Sequence, residues 1–201
     1  MSNLIGKKAP DFTAKAVLPD GTIDKNFNFY NNINNKYCLL FFYPMDFTFV
    51  CPSELIAINN RIKEFQERNI EVLAISIDSE YVHNAWRNTR ENDGGIGKIS
   101  YILISDIKRN IIKNYQLEDE NSGVSYRGSI IIDKNKKIRV QHIHDFPIGR
   151  NIDEYIRIFD AIEFNEKYGD VCQAGWTKGK SGIKPTKEGI SSFLSTNLKT
   201  L

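Results

Sequence analysis

The sequence predicts an α/β domain with a mixed central sheet flanked by helices, followed by an extended C-terminal arm. Three observations predict it. Short apolar runs at residues 36–43, 70–77 and 99–104 alternate with segments of helical spacing, the order expected of an α/β sheet. Apolar runs at residues 129–133 and 137–143 are separated only by a polar turn, which adds a hairpin. Beyond Tyr168 the periodic pattern gives way to glycine and polar residues, as in a segment that lies over another surface.

Taken in order, residues 36–43 are rich in aromatics, end at Pro44 and read as a fully buried strand. Pro52 suits a first helical turn, and Leu55, Ile58, Ile62 and Phe65 then recur at helical spacing. Residues 70–77 read as a second buried strand. Asp78 and Ser79 cap a helix running to about Arg90, and Gly94, Gly95 and Gly97 break the chain. A strand over 99–104 and a short helix over 107–115 follow. Residues 152–164 place Ile152, Tyr155, Ile156, Phe159 and Ile162 on one face of an amphipathic helix. The asparagine-rich residues 31–35 read as a loop. The expected division is a domain over 1–165 and an arm over 166–201, with one short helix near 190–198. This order is compatible with a thioredoxin-like core and with other α/β folds.

Composition narrows the partners. Twenty-seven basic against twenty-five acidic residues give a net charge of +2, so there is no basic field for nucleic acid or anionic lipid. Small molecules or proteins are the expected partners. No stretch approaches eighteen apolar residues, so no membrane span is expected. The first residues lack an apolar signal region, which makes the cytoplasm the expected location. Three widely spaced cysteines, Cys38, Cys51 and Cys172, suggest thiols with individual roles rather than a disulfide-stapled scaffold.

Cys51 falls where the buried strand has ended and a helix begins, in Phe42-Tyr-Pro-Met-Asp-Phe-Thr-Phe-Val-Cys51-Pro-Ser-Glu54. Unpaired N–H groups and the helix dipole favour an anion there, and thiols in such settings ionise more readily than free ones. Thr48, three residues earlier, can turn its hydroxyl toward the sulfur or its reaction partner, and Pro44 can shape and screen the loop. Most free cysteines are merely small buried hydrophobes, so position alone does not establish reactivity.

The longer string does more. It resembles the active-site signature of peroxiredoxins, and in particular the typical two-cysteine subgroup of the AhpC/TSA family. The resemblance extends over nearly the whole chain: Ala9-Pro-Asp-Phe12, Ser76-Ile-Asp78, His83-Asn-Ala-Trp86, Gly94-Gly-Ile-Gly97, Gly123-Val-Ser-Tyr-Arg127, Ile148-Gly-Arg150 and Gly169-Asp-Val-Cys172-Gln-Ala-Gly-Trp176. It implies a thioredoxin-like fold and a peroxidase acting on hydrogen peroxide or alkyl hydroperoxides. Cys51 would be the peroxidatic cysteine, Arg127 the cation stabilising its thiolate, Thr48 a hydrogen-bonding partner of the peroxide, and Pro44 a screen. Glu54 and Arg150 match a supporting ion pair. Cys172 would be the resolving cysteine, reaching Cys51 of the partner subunit in a homodimer that assembles into a decamer, with thioredoxin as reductant.

Two departures stand out. Gln173 occupies a position where the family usually has proline, and Phe193-Leu194 falls where eukaryotic members carry a Tyr-Phe pair linked, with the Gly94–Gly97 segment, to over-oxidation. No cofactor is implied. His142 and His144 alternate along a strand without a completing ligand set, so no metal is expected. Cys38, mid-strand, reads as structural. A client-binding chaperone and a one-cysteine peroxidase are the alternative readings.

Overall fold

The segment before the first expected strand forms a hairpin, which the sequence reading did not assign. In this computed structural model, which describes residues 3–198, β1 (Thr13–Val17) pairs antiparallel with β2 (Ile23–Asn28). Gly21, at φ +91°, turns the chain between them. A four-residue helix α1 (Phe29–Asn32) follows, so the asparagine-rich loop begins later than expected: Asn28 caps α1 by accepting the Asn31 N–H.

The next strand, β3 (Tyr37–Phe42), is buried at every residue, as its uninterrupted apolar run requires. The helical spacing after Pro52 divides into two helices, α2 (Cys51–Asn60) and α3 (Ile62–Glu67), because Arg61 leaves helical geometry at φ −107°, ψ 4°. Then come β4 (Ile70–Ser76) and α4 (Glu80–Asn88), the latter capped by Ser79 as expected and ending two residues early. Beyond it Gly95 is required, since a Cβ there would sit 2.0 Å from the Thr89 carbonyl oxygen. The next strand, β5 (Ile102–Ser105), is shorter and later than the expected 99–104. Helix α5 (Asn110–Asn114) likewise starts later than 107, because Arg109 adopts the left-handed conformation. The hairpin β6 (Arg127–Ile132) and β7 (Ile138–His144) is antiparallel.

These strands form one seven-stranded sheet of order β2-β1-β5-β4-β3-β6-β7. The pairs β3–β4 and β4–β5 are parallel and the others antiparallel, the mixed sheet that the sequence predicts. Parallel β3 and β4 need a crossover, and α2 and α3 supply it. Cys51 is therefore set beyond the exit of β3, an inner strand of the sheet.

Contacts divide the chain between Ile152 and Asp153. The second unit contains all but the first residue of helix α6 (Ile152–Tyr168), four residues longer than expected, and α7 (Lys187–Asn197). Within it Trp176 is buried, its ring centroid 4.9 Å from that of Phe164, and Val171 bridges to Ile183. No helix among the described residues is long and apolar enough to cross a membrane.

Candidate active site

Cys51 is the first residue of α2 and is fully buried. The residue before it, Val50, has helical backbone angles and offers no side-chain cap, and Pro52 contributes no N–H. Donors at this helix start are thus left for another acceptor, the condition that favours an anion. Arg127, at the head of β6, extends Nη1 to 3.4 Å from the Cys51 Sγ.

That guanidinium is held from two further sides. Its Nη1 donates to Glu54 Oε2 at 2.8 Å and its Nε to the Phe146 carbonyl at 2.7 Å. Glu54 lies one helical turn after Cys51 and is itself clamped by Arg150. The Arg150 backbone N–H and Nε both donate to Oε1 at 2.9 Å, and Nη2 donates to Oε2 at 3.0 Å. Arg150 also donates to the Gly128 carbonyl and the Ser129 hydroxyl of β6 and lies over the Phe41 ring. Burial pushes the Glu54 carboxyl up, but the Arg150 hydrogen bonds and the charges of Arg150 and Arg127 outweigh it and hold the group below its ordinary 4.5. The expected ion pair is thus a three-residue buried cluster, and Glu54 binds Arg127 as well as Arg150.

Pro44 is buried where the chain leaves β3. Thr48 is half-buried and its hydroxyl donates to the Met45 carbonyl at 2.9 Å. Its proton is committed to the loop, which leaves its lone pairs for an incoming O–H. Sequence reasoning gave no role to what anchors this loop. Asp46 accepts from the Tyr43 hydroxyl at 2.7 Å and pairs with His83 Nδ1 at 2.7 Å, all three buried. His83 Nε2 meets the Ile104 carbonyl at 3.1 Å, so both ring nitrogens face acceptors. Burial disfavours charge on His83, but the Asp46 hydrogen bond and the charges of Asp46 and Asp78 raise it above 6.5. The Asp46 N–H donates to Asp78, which Ser76 also holds. The local signals were a lone aspartate inside an aromatic loop and the motifs holding Asp78 and His83, with nothing in them to pair one with another.

The other thiols sit differently. Cys38 is buried in β3 and its ionisation is pushed well up by burial. Cys172 is half-buried in the second unit, its thiol donating to the Ala161 carbonyl at 3.5 Å. Burial raises it, and the Arg157 charge only partly offsets this. Arg157 in turn bonds Glu154 and the Trp176 carbonyl. Among the described residues, no group of three His, Cys, Asp or Glu is placed to hold a metal ion.

What such a pocket can do is hold a buried sulfur at a helix start beside a cation that has been fixed in advance for a second reactant. On a thioredoxin-like sheet, that capability defines a thiol peroxidase. The chain belongs to the AhpC/TSA family, whose pattern matches residues 5–141. It is 52% identical to the alkyl hydroperoxide reductase C of Buchnera aphidicola (subspecies Baizongia pistaciae), covering 95% of this chain and 96% of that one. It is 46% identical to peroxiredoxin-1 of Gekko japonicus, over 95% of each. Among solved structures, reduced Plasmodium vivax 2-Cys peroxiredoxin superposes with a TM-score of 0.94 at 46% identity, covering 97% of this chain and all of that one.

Proposed function

We propose that Cys51 is the peroxidatic cysteine and Cys172 the resolving cysteine of a two-cysteine cycle on hydrogen peroxide and small organic hydroperoxides. The carrying observation is the Arg127 guanidinium 3.4 Å from the Cys51 sulfur and 2.8 Å from Glu54. The thiolate attacks one peroxide oxygen: the S–O bond forms, the O–O bond breaks, and sulfur gives up two electrons. The leaving hydroxide or alkoxide takes a proton and departs as water or alcohol. Arg127 stabilises the sulfur anion and the developing oxygen charge, while Thr48 accepts the peroxide O–H. Pro44 screens the pocket from bulk water.

Cys172 of the partner subunit then displaces the hydroxyl of the Cys51 sulfenic acid, forming the disulfide and releasing water. A dithiol, for which thioredoxin is the expected protein, exchanges with that disulfide and is itself oxidised as both thiols return. The arm of residues 166–201 is the carrier of Cys172. Two surfaces support assembly of a homodimer and a decamer. The strand β7 ends the sheet, with the backbone of residues 6–9 bonded along its start at Lys136 and Ile138. Met45, Phe47, Phe49, Tyr81 and Val82 expose apolar surface on the Cys51 loop and the start of α4. Non-reducing electrophoresis after one equivalent of peroxide tests the cycle. A dimer band that requires both Cys51 and Cys172 is expected, and its absence would refute the two-cysteine reading. Peroxide turnover with thioredoxin, run on wild type, Cys51→Ser and Cys172→Ser, tests the reductant.

A further inference from the structure

Helix α2 is held unevenly along its length. Its first turn is poorly bound: Val50 provides no cap, Pro52 has no N–H, and the Glu54 N–H reaches the Val50 carbonyl only at 3.3 Å. The Ser53 hydroxyl takes that same carbonyl at 2.6 Å, so the last backbone bond of the turn shares its acceptor. From Glu54 onward the helix is fastened at each turn. Glu54 is clamped by Arg127 and Arg150. The buried Tyr101 hydroxyl donates to the Leu55 carbonyl at 2.8 Å, and one turn later Asn59 Oδ1 accepts the Ser100 N–H at 2.9 Å.

We infer that Ser100 and Tyr101 form a clasp that fixes the body of α2 and confines unwinding to residues 51–53, with the Tyr101 hydroxyl as the positioning group. This rests on the reading of Cys51 as a thiol that must leave the helix to meet Cys172. A helix start that frays alone exposes the sulfur at small cost; fraying past Glu54 dismantles the Arg127 site as well. The clasp therefore sets how often an oxidised Cys51 is open to resolution and how often it stays in the pocket, where a second peroxide reaches it. Tyr101 touches no reacting atom.

Hydrogen exchange on reduced Cys172→Ser protein reads the boundary without relying on resolution. Protection is expected to be low before Glu54 and high from Glu54 to Asn59. Tyr101→Phe removes one buried hydrogen bond and should speed exchange over 54–59 by about two- to tenfold, leaving β4 unchanged. With Cys172 present, the same variant should form the disulfide faster and need a severalfold higher peroxide dose for half of Cys51 to reach the sulfinic state. Asn59→Ala, on the outer contact of the clasp, should shift both readings the same way and carries the test if Tyr101→Phe fails to fold. Wild-type exchange over 54–59 in the variants, or an unchanged over-oxidation dose, would overturn the clasp. A wild-type protein that forms no disulfide dimer would instead overturn the two-cysteine reading and leave the exchange boundary standing.

Discussion

Replacing Glu54 by Gln should uncouple the site with almost no change of shape. In the wild type, four N–H groups converge on one carboxylate that is 2% exposed. Glutamine keeps one acceptor oxygen and turns an NH2 donor toward a guanidinium that needs an acceptor. Two buried cations lose their counter-charge, a change of the kind that costs about 3–5 kcal/mol. Arg127 is then tethered by the Phe146 carbonyl alone among its fixed partners, so the loss of a charge-assisted bond of about 1.5–3 kcal/mol should slow oxidation of Cys51 by about 10- to 100-fold. The pH dependence has a definite sign. The Glu54 carboxyl is lowered in the folded state, so its contribution is present above 4.5 and lost as pH falls through the lower folded value. Urea midpoints at pH 7 and in the acid range, with stopped-flow oxidation by hydrogen peroxide, read both effects. The difference between wild type and variant should shrink in acid. An E54Q protein with the wild-type midpoint and wild-type rate at pH 7 would refute the argument.

Three further outcomes follow from the same contacts. Thr48→Val should weaken the peroxide step by about tenfold through loss of one hydrogen-bonding group, with Thr48→Ser restoring most of it in a peroxide competition assay. His83 is raised in the folded state, so the stability it contributes is complete below 6.5 and lost as pH rises through its folded value; denaturant midpoints should fall over that alkaline window, and fall less in His83→Asn. Asp46, raised by burial against its bonds to His83 and Tyr43, acts with the same sign over a lower window, its contribution complete below 3.8 and lost as pH rises through its folded value. Burial raises the Cys172 thiol, so disulfide formation, followed by quenched-flow electrophoresis, should keep accelerating as pH approaches and passes 9.0.

The buried strands were legible because a strand covered on both faces must be apolar at every position, as β3 is. The β1–β2 hairpin was not, because it is only partly buried: Asp24, Lys25 and Asn26 follow one another in β2 with no apolar residue between them. The break at Arg61 was hidden for another reason, since Ile62 and Phe65 keep the helical spacing across it. Cys51 and Arg127 were legible through motifs, and the fold brings them together. The Asp46–His83 pair and the Tyr101 clasp join residues 37 and 46 positions apart, and no local pattern encodes such partnerships. Burial creates the demand for them, and burial is a property of the fold.

The buried cluster also orders the steps of the cycle. Arg127 and Arg150 bring two positive charges and Glu54 one negative, so these three groups together carry 2 − 1 = one net positive charge beside the sulfur. A Cys51 thiolate completes the balance and adds its attraction to the helix dipole, which holds the weakly capped first turn closed. Oxidation to a neutral sulfenic acid removes that charge. The turn then keeps its stretched Glu54–Val50 bond and the Ser53 hydroxyl on the same carbonyl, while Arg127 stays fixed by Glu54 and Phe146. On the proposed cycle, reduced protein should therefore be closed and ready for peroxide, and oxidised protein should open toward the partner's Cys172 without any separate trigger. Amides near Cys51 should exchange hydrogen faster in the disulfide form than in the reduced form, by an amount that shrinks when Glu54 is replaced by Gln. Equal protection in the two forms would contradict this order.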